Sequence, residues 1–225
     1  MKLQTIFLLT FLQVAFMCRQ KEEVKPSEKD LIGIDLDDPV GRCLYLELPS
    51  DLSNRFLILE FAPNNFLNVY GVTVPNPLPI PYERPGDRII RITGGDFHFE
   101  EGGIVSSVSA NFKRLLLLPE ASTNQLAGKT FEGKYHRENG SVLHENYFYS
   151  FSKTGTELQA GFQVGSPVRT ATYIRIGNWG AVSRVNNGDL EVMVLVDGKL
   201  EVDYYSQEVE STHTATLSEF KEAVL

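Results

Sequence analysis

The run DLEVMVLVDGKLEVDYY, Asp189 to Tyr205, decides the fold. Its apolar residues recur at every second position, Leu190, Val192, Val194 and Val196, then Leu200, Val202 and Tyr204. That period belongs to a strand; a helix would space them by three and four. Between the two alternating arms stands Asp197-Gly198, the dipeptide that favours a two-residue hairpin turn. The expectation is one antiparallel hairpin with Leu190, Val192, Val194 and Val196 on its inward face.

The same grammar extends upstream. GKTFEGKYHRENG sets Phe131, Gly133 and Tyr135 against Thr130, Glu132, Lys134 and His136, and TELQAGFQV sets Leu158, Ala160, Phe162 and Val164 against Gln159, Gly161 and Gln163. Strict alternation marks one buried and one wet face. Turn signals fall at Asn139-Gly140, Thr154-Gly155, Gly165-Ser166-Pro167, Gly177-Asn178-Trp179-Gly180 and Asn187-Gly188. Short connections between about seven strands from Lys129 to Gln207 spell a meander, and about eight such strands can close into a barrel that is filled by side chains or holds one small ligand.

Residues 31–120 are also rich in short β-type runs, among them RFLILEF, FLNVYGVTV, RIIRIT and DFHFE. VPNPLPIPYERPG, with Pro75, Pro77, Pro79, Pro81 and Pro85, reads as an extended connector or edge loop, because proline lacks the ladder donor. The fold class expected is all-β: an antiparallel, barrel-like meander over 126–208, a β-rich region over 31–120 before it, and a tail over 209–225 after it.

The N-terminus carries an address. MKLQTIFLLTFLQVAFM has one basic residue, Lys2, followed by an apolar run that stops at Cys18 and turns charged in RQKEE. A basic start and a short apolar core make a secretory signal; roughly 20 apolar residues would be needed to span a bilayer. With Ala15, Phe16 and Met17 before the cysteine, the segment resembles the bacterial lipoprotein signal in its looser, spirochaete form. The resemblance implies cleavage after residue 17 and a diacylated or triacylated Cys18, hence attachment to the cell envelope at the outer membrane. Residues 18–30 are polar and charged and read as a flexible tether.

Only one other cysteine exists, Cys43. If Cys18 is not lipidated, a Cys18–Cys43 bridge is open to it in an oxidising compartment; otherwise Cys43, in the alternating GRCLYLEL, reads as a small buried hydrophobe.

Charge and motif content narrow the function. With 21 basic against 29 acidic residues the net charge is −8, which argues against binding a phosphate backbone. The four histidines, His98, His136, His144 and His213, sit in no metal-binding or nucleophile motif, so no enzyme, metal or cofactor is expected. Asp96, His98 and Glu100 share a strand face opposite Phe97 and Phe99 and read as its solvent side; Asp35, Asp37 and Asp38 read as a solvated turn.

LAGKTFEG, NYFYSFSKTGTE and TATYIRIGNWGAV together resemble the lipocalin-like domains of bacterial proteins over at most residues 126–207, with Phe131 where lipocalins carry Trp. That likeness implies a barrel and a ligand. The residues that would line such a cavity are Phe131, Tyr135, Tyr149, Phe151, Phe162, Ile174, Val192, Val194, Leu200 and Tyr204, with Tyr147 beside them. A filled core needs the same residues, and no charged group is expected on their face. Two functions follow: a lipid-anchored envelope protein that is structural or contacts a protein or host-molecule partner, or a lipocalin-like carrier of a small apolar ligand.

Overall fold

The computed structural model describes residues 38–49, 54–93, 95–100, 105–107, 112–185, 188–208 and 210–221. The signal segment, Cys18, the tether, Asp35, Asp37 and Asn187 lie outside them. Every regular element among the described residues is a strand. The first eight are β1 (Cys43–Glu47), β2 (Phe56–Ala62), β3 (Phe66–Gly71), β4 (Val74–Gly86), β5 (Ile89–Ile92), β6 (Gly95–Phe99), β7 (Val105–Ser107) and β8 (Arg114–Leu117). The remainder are β9 (Thr130–Arg137), β10 (Val142–Phe151), β11 (Glu157–Gly161), β12 (Arg169–Thr172), β13 (Ile174–Ile176), β14 (Gly180–Arg184), β15 (Leu190–Val196), β16 (Lys199–Ser206) and β17 (Ser211–Glu219).

They form two antiparallel sheets, each curled into a barrel. The first runs β7-β6-β5-β4-β3-β2-β1-β8, and its end strands β7 and β8 meet at a seam. The second runs β12-β11-β10-β9-β17-β16-β15-β14-β13. Only Tyr173 separates β12 from β13, and one pairs with β11 while the other pairs with β14. The nine segments are thus eight staves, and the ring closes where β17 pairs with β9. Residues 211–219 are therefore not a tail. STHTATLSE supplies the closing strand, with Thr212, Ala215 and Leu217 buried and Thr216 and Ser218 exposed.

The Asp197-Gly198 turn forms as expected, with both residues in the left-handed region, φ 49° and 73°. Its register corrects the expected facing. A two-residue turn pairs Val196 with Lys199 and Leu195 with Leu200, so Leu200 and Val202 share the inward face with Leu195 and Met193. Val192, Val194 and Val196 point outward, and they are buried nonetheless because the first barrel covers them.

Cys43, Tyr45, Phe56, Ile58 and Tyr70 on the outer face of β1–β3 pack against Ile176, Val192, Val194 and Val196 in a shared apolar layer. Each such side chain, fully buried, contributes roughly 1.5–3 kcal/mol. Polar clamps flank the layer: Arg55 reaches Glu201 at 2.8 Å and Thr216 at 2.9 Å, and the Gly177 N–H donates to Glu60 at 2.8 Å. Gly177, φ 52°, lies so close to the first barrel that an added Cβ would meet Cys43 Sγ and the Gly41 carbonyl at 2.7 Å. Cys43 is the buried hydrophobe expected of it, 1% exposed, its thiol pKa raised by burial and then by Glu60.

The proline run is a strand after all. The Tyr82 N–H donates to Asn65 O across the β3–β4 ladder. Alternate residues address the same neighbour, so positions 78 and 80 also face β3, whereas Pro77, Pro79 and Pro81 face away. β5 pairs only from Tyr82 onward. The prolines thus occupy positions on an edge where no ladder donor is required, and they deny that edge to an incoming strand.

Candidate functional site

The second barrel is filled through most of its length. Phe131, Tyr149, Leu158, Ala160, Met193, Leu200, Val202 and Leu217 are all 0% exposed. A void wide enough for water would leave exposed area on its walls, so these side chains pack against one another. Phe131 and Phe151 meet edge to face, as do Phe151 and Tyr173, and Leu126 from the inter-barrel linker plugs one end. Asn124 holds that plug, accepting from the Leu126 N–H at 3.0 Å and donating to the Tyr173 hydroxyl at 3.0 Å.

At the other end, where the β9–β10, β11–β12, β14–β15 and β16–β17 connections gather, the interior turns polar. Inward parity carries Glu191 on β15 and Arg169 on β12 into the barrel: Glu191 stands opposite Ser183 and Tyr204, and Arg169 opposite Ala160. The two form an ion pair in which Glu191 is 1% exposed. This corrects the expectation that no charged group shares the aromatic face. The sequence signal was the hairpin's own register, since Glu191 falls inward once Leu195 pairs with Leu200.

Three tyrosines complete the cluster. Tyr149 donates its hydroxyl to Glu191 Oε1 at 2.8 Å. Its only proton is then spent, so Tyr135, 3.0 Å away, is the donor to Tyr149. Burial and the nearby Glu191 carboxylate raise the pKa of both phenols well above the ordinary tyrosine value. Arg169 lies over the Tyr149 ring, 5.6 Å from its centroid. Burial disfavours the Arg169 cation, but Glu191 and Tyr149 outweigh it and keep the group charged. Tyr147 is raised by burial, with Arg169 opposing.

Two atoms of this cluster have no partner, Arg169 Nη1 and Glu191 Oε2, and both are sealed from solvent. The rim around them is aromatic. Phe162 meets His144 and Tyr147 edge to face at centroid distances of 4.8 and 5.6 Å, and Tyr204 stacks on His213 at 5.6 Å. Tyr204 also donates to Asp189, whose other oxygen accepts the Gln207 N–H at 2.8 Å, which ties β15 to the end of β16. Burial, then Arg137 and His144, lower the His213 pKa.

The residues read from sequence as cavity lining divide accordingly. Phe131, Tyr135, Tyr149, Phe151 and Leu200 lie in the barrel core, and Tyr204 packs against it half-buried. Phe162 follows the inward parity but sits past the end of β11, 49% exposed on the rim. Ile174 faces out, 68% exposed, because Tyr173 takes the inward position at the β12–β13 break. Ile174 and Val192 instead line a cleft of about 410 Å³ between the barrels, with Tyr70, Pro77, Val182 and Arg184. Of the polar face Asp96-His98-Glu100, Asp96 accepts from Arg91 Nε at 2.9 Å and from Arg91 Nη2 at 2.8 Å.

No family of known proteins, no curated protein and no solved structure matches this chain.

Proposed function

We propose that the protein is a lipid-anchored component of the cell envelope, held at the outer membrane through Cys18, whose double barrel is a rigid platform for contact with a partner or with the envelope itself. The observation that supports an interaction surface over an apolar carrier is the filled second barrel. A lipocalin-like carrier of a small apolar ligand needs an enclosed pocket of about 300 Å³ or more lined by apolar side chains. Here those side chains occupy the volume themselves.

The anchoring part of the reading rests on the apolar run that ends at Cys18. Two acyl chains suffice for stable attachment, and a net charge of −8 offers no electrostatic substitute on an anionic surface. Cells expressing the wild type and Cys18→Ser test it. Wild-type protein is expected in the detergent phase with a lipid-modified residue 18 by mass spectrometry, and the variant in the aqueous phase. Identical partitioning of the two refutes the anchor.

A further inference from the structure

The second barrel's interior is taken up by its own side chains, but the space between the two barrels is not. The cleft there holds about 410 Å³, within the roughly 300–1,000 Å³ of small-molecule sites. Its floor belongs to the second barrel. Ile174 on β13 stands opposite Val182 on β14, and Val182 opposite Val192 on β15, so the three form one aliphatic row across the strands. Ile174 is 68% exposed, Val182 is half-buried and Val192 is covered. The first barrel contributes Val74, Pro77 and the ring of Tyr70, whose hydroxyl is committed to Glu60 at 2.8 Å.

Charge then selects the ligand. Among the described residues, Arg184 is the only charged one that lines the cleft, in a chain whose net charge is −8. It lies two positions along β14 from Val182, hence on the same face and about 7 Å beyond the aliphatic row. Its Nη2 donates to Asn76 Oδ1 of β4 at 3.0 Å, a bond from one barrel to the other. Because that acceptor is a neutral amide, the bond orients the guanidinium without neutralising it. A guanidinium is a planar fork of five N–H donors, which suits a carboxylate.

We propose that the inter-barrel cleft binds a small amphiphilic monocarboxylate, a free medium-chain aliphatic acid. The carboxylate accepts from Arg184, and the alkyl chain lies along Ile174 and Val182. An alcohol of the same length gains the apolar contact without the charge-assisted bonds, and an alkylammonium meets a like charge. The ester-linked chains of a membrane lipid lack the carboxylate, so the free acid is the occupant. The site goes beyond the envelope reading and does not rest on it, since the two barrels form the cleft independently of acylation at Cys18.

A methyl-detected NMR titration of the full chain carrying Cys18→Ser tests this, in buffer free of detergent, whose alkyl chains would compete. The probes are octanoate, 1-octanol and octylammonium. Octanoate is expected to shift the Ile174 and Val182 methyl signals saturably and to leave that of Val202, inside the second barrel, in place. The alcohol binds about 2- to 10-fold more weakly, the range of one carboxylate–guanidinium contact in an open cleft, and the ammonium more weakly still. Arg184→Gln, at an exposed position, brings octanoate down to the level of the alcohol and leaves the alcohol unchanged. The order of the three probes on the parent chain decides even where that variant misfolds. Absence of a saturable shift overturns the proposal. So do shifts centred on Val202, equal binding of the three probes, or octanoate binding that a folded Arg184→Gln variant leaves unchanged.

Discussion

Asp203 offers the sharpest test of how the two barrels are joined. It lies on the outer face of β16, 0% exposed, and its Oδ2 accepts the backbone N–H of Arg55 at 2.8 Å while Oδ1 has no partner. Burial pushes its pKa up to about 7, against the opposing Arg55 backbone bond and charge and with Glu138 adding to the rise. The folded state therefore holds a proton that the unfolded state releases near pH 4. Stability from this group is full below about pH 4 and is lost as pH rises through about 7. At about 1.4 kcal/mol per pKa unit, the loss between pH 4.5 and pH 8 is about 3 kcal/mol. Asp203→Asn keeps the acceptor for Arg55 and removes the titration. Relative to the wild type it gains about 3 kcal/mol on going from pH 4.5 to 8, which in a chain of this size widens the gap in Tm by about 6–12 °C. Parallel thermal melts of both proteins at the two pH values read this directly. A gap that is the same at both pH values refutes the buried, proton-holding carboxyl.

Three further outcomes follow from the packing. Gly177→Ala drives a Cβ into Cys43 Sγ and the Gly41 carbonyl and should cost about 1–3 kcal/mol in urea unfolding, with Cys43 turning reactive to a thiol reagent; an inert thiol and unchanged midpoint refute the close approach. Phe151→Ala should cost about 3–5 kcal/mol, and the wild-type barrel should offer a hydrophobic dye no saturable site; a small cost with strong wild-type dye binding refutes the filled core. Replacing Pro77, Pro79 and Pro81 together by Thr restores three edge donors, and sedimentation should then show concentration-dependent self-association beyond that of the parent; identical sedimentation refutes the blocking role.

The sequence alone determined the β class and the second barrel's turns, because both are local. Period-two alternation and the Asp197-Gly198 and Asn139-Gly140 dipeptides act within a few residues, and the chain turns at both. Tertiary structure decided which face is inside. β15 is apolar on both sides, and a strand buried twice has no polar face to betray its orientation; only pairing with β16 sends Glu191 inward and Val192 and Val194 toward the first barrel. The closing strand β17 is faint in the sequence because its apolar residues are few, Ala215 and Leu217 set among Thr and Ser, and its second pairing partner beside β16 is β9, some 80 residues upstream, which no local pattern can announce. The prolines of β4 posed the inverse problem. They forbid ladder bonds on one side of a strand, and whether a neighbour stands on that side is a property of the whole sheet. The Arg169–Glu191 pair belongs with these, since two charges 22 residues apart meet only because the barrel closes around them.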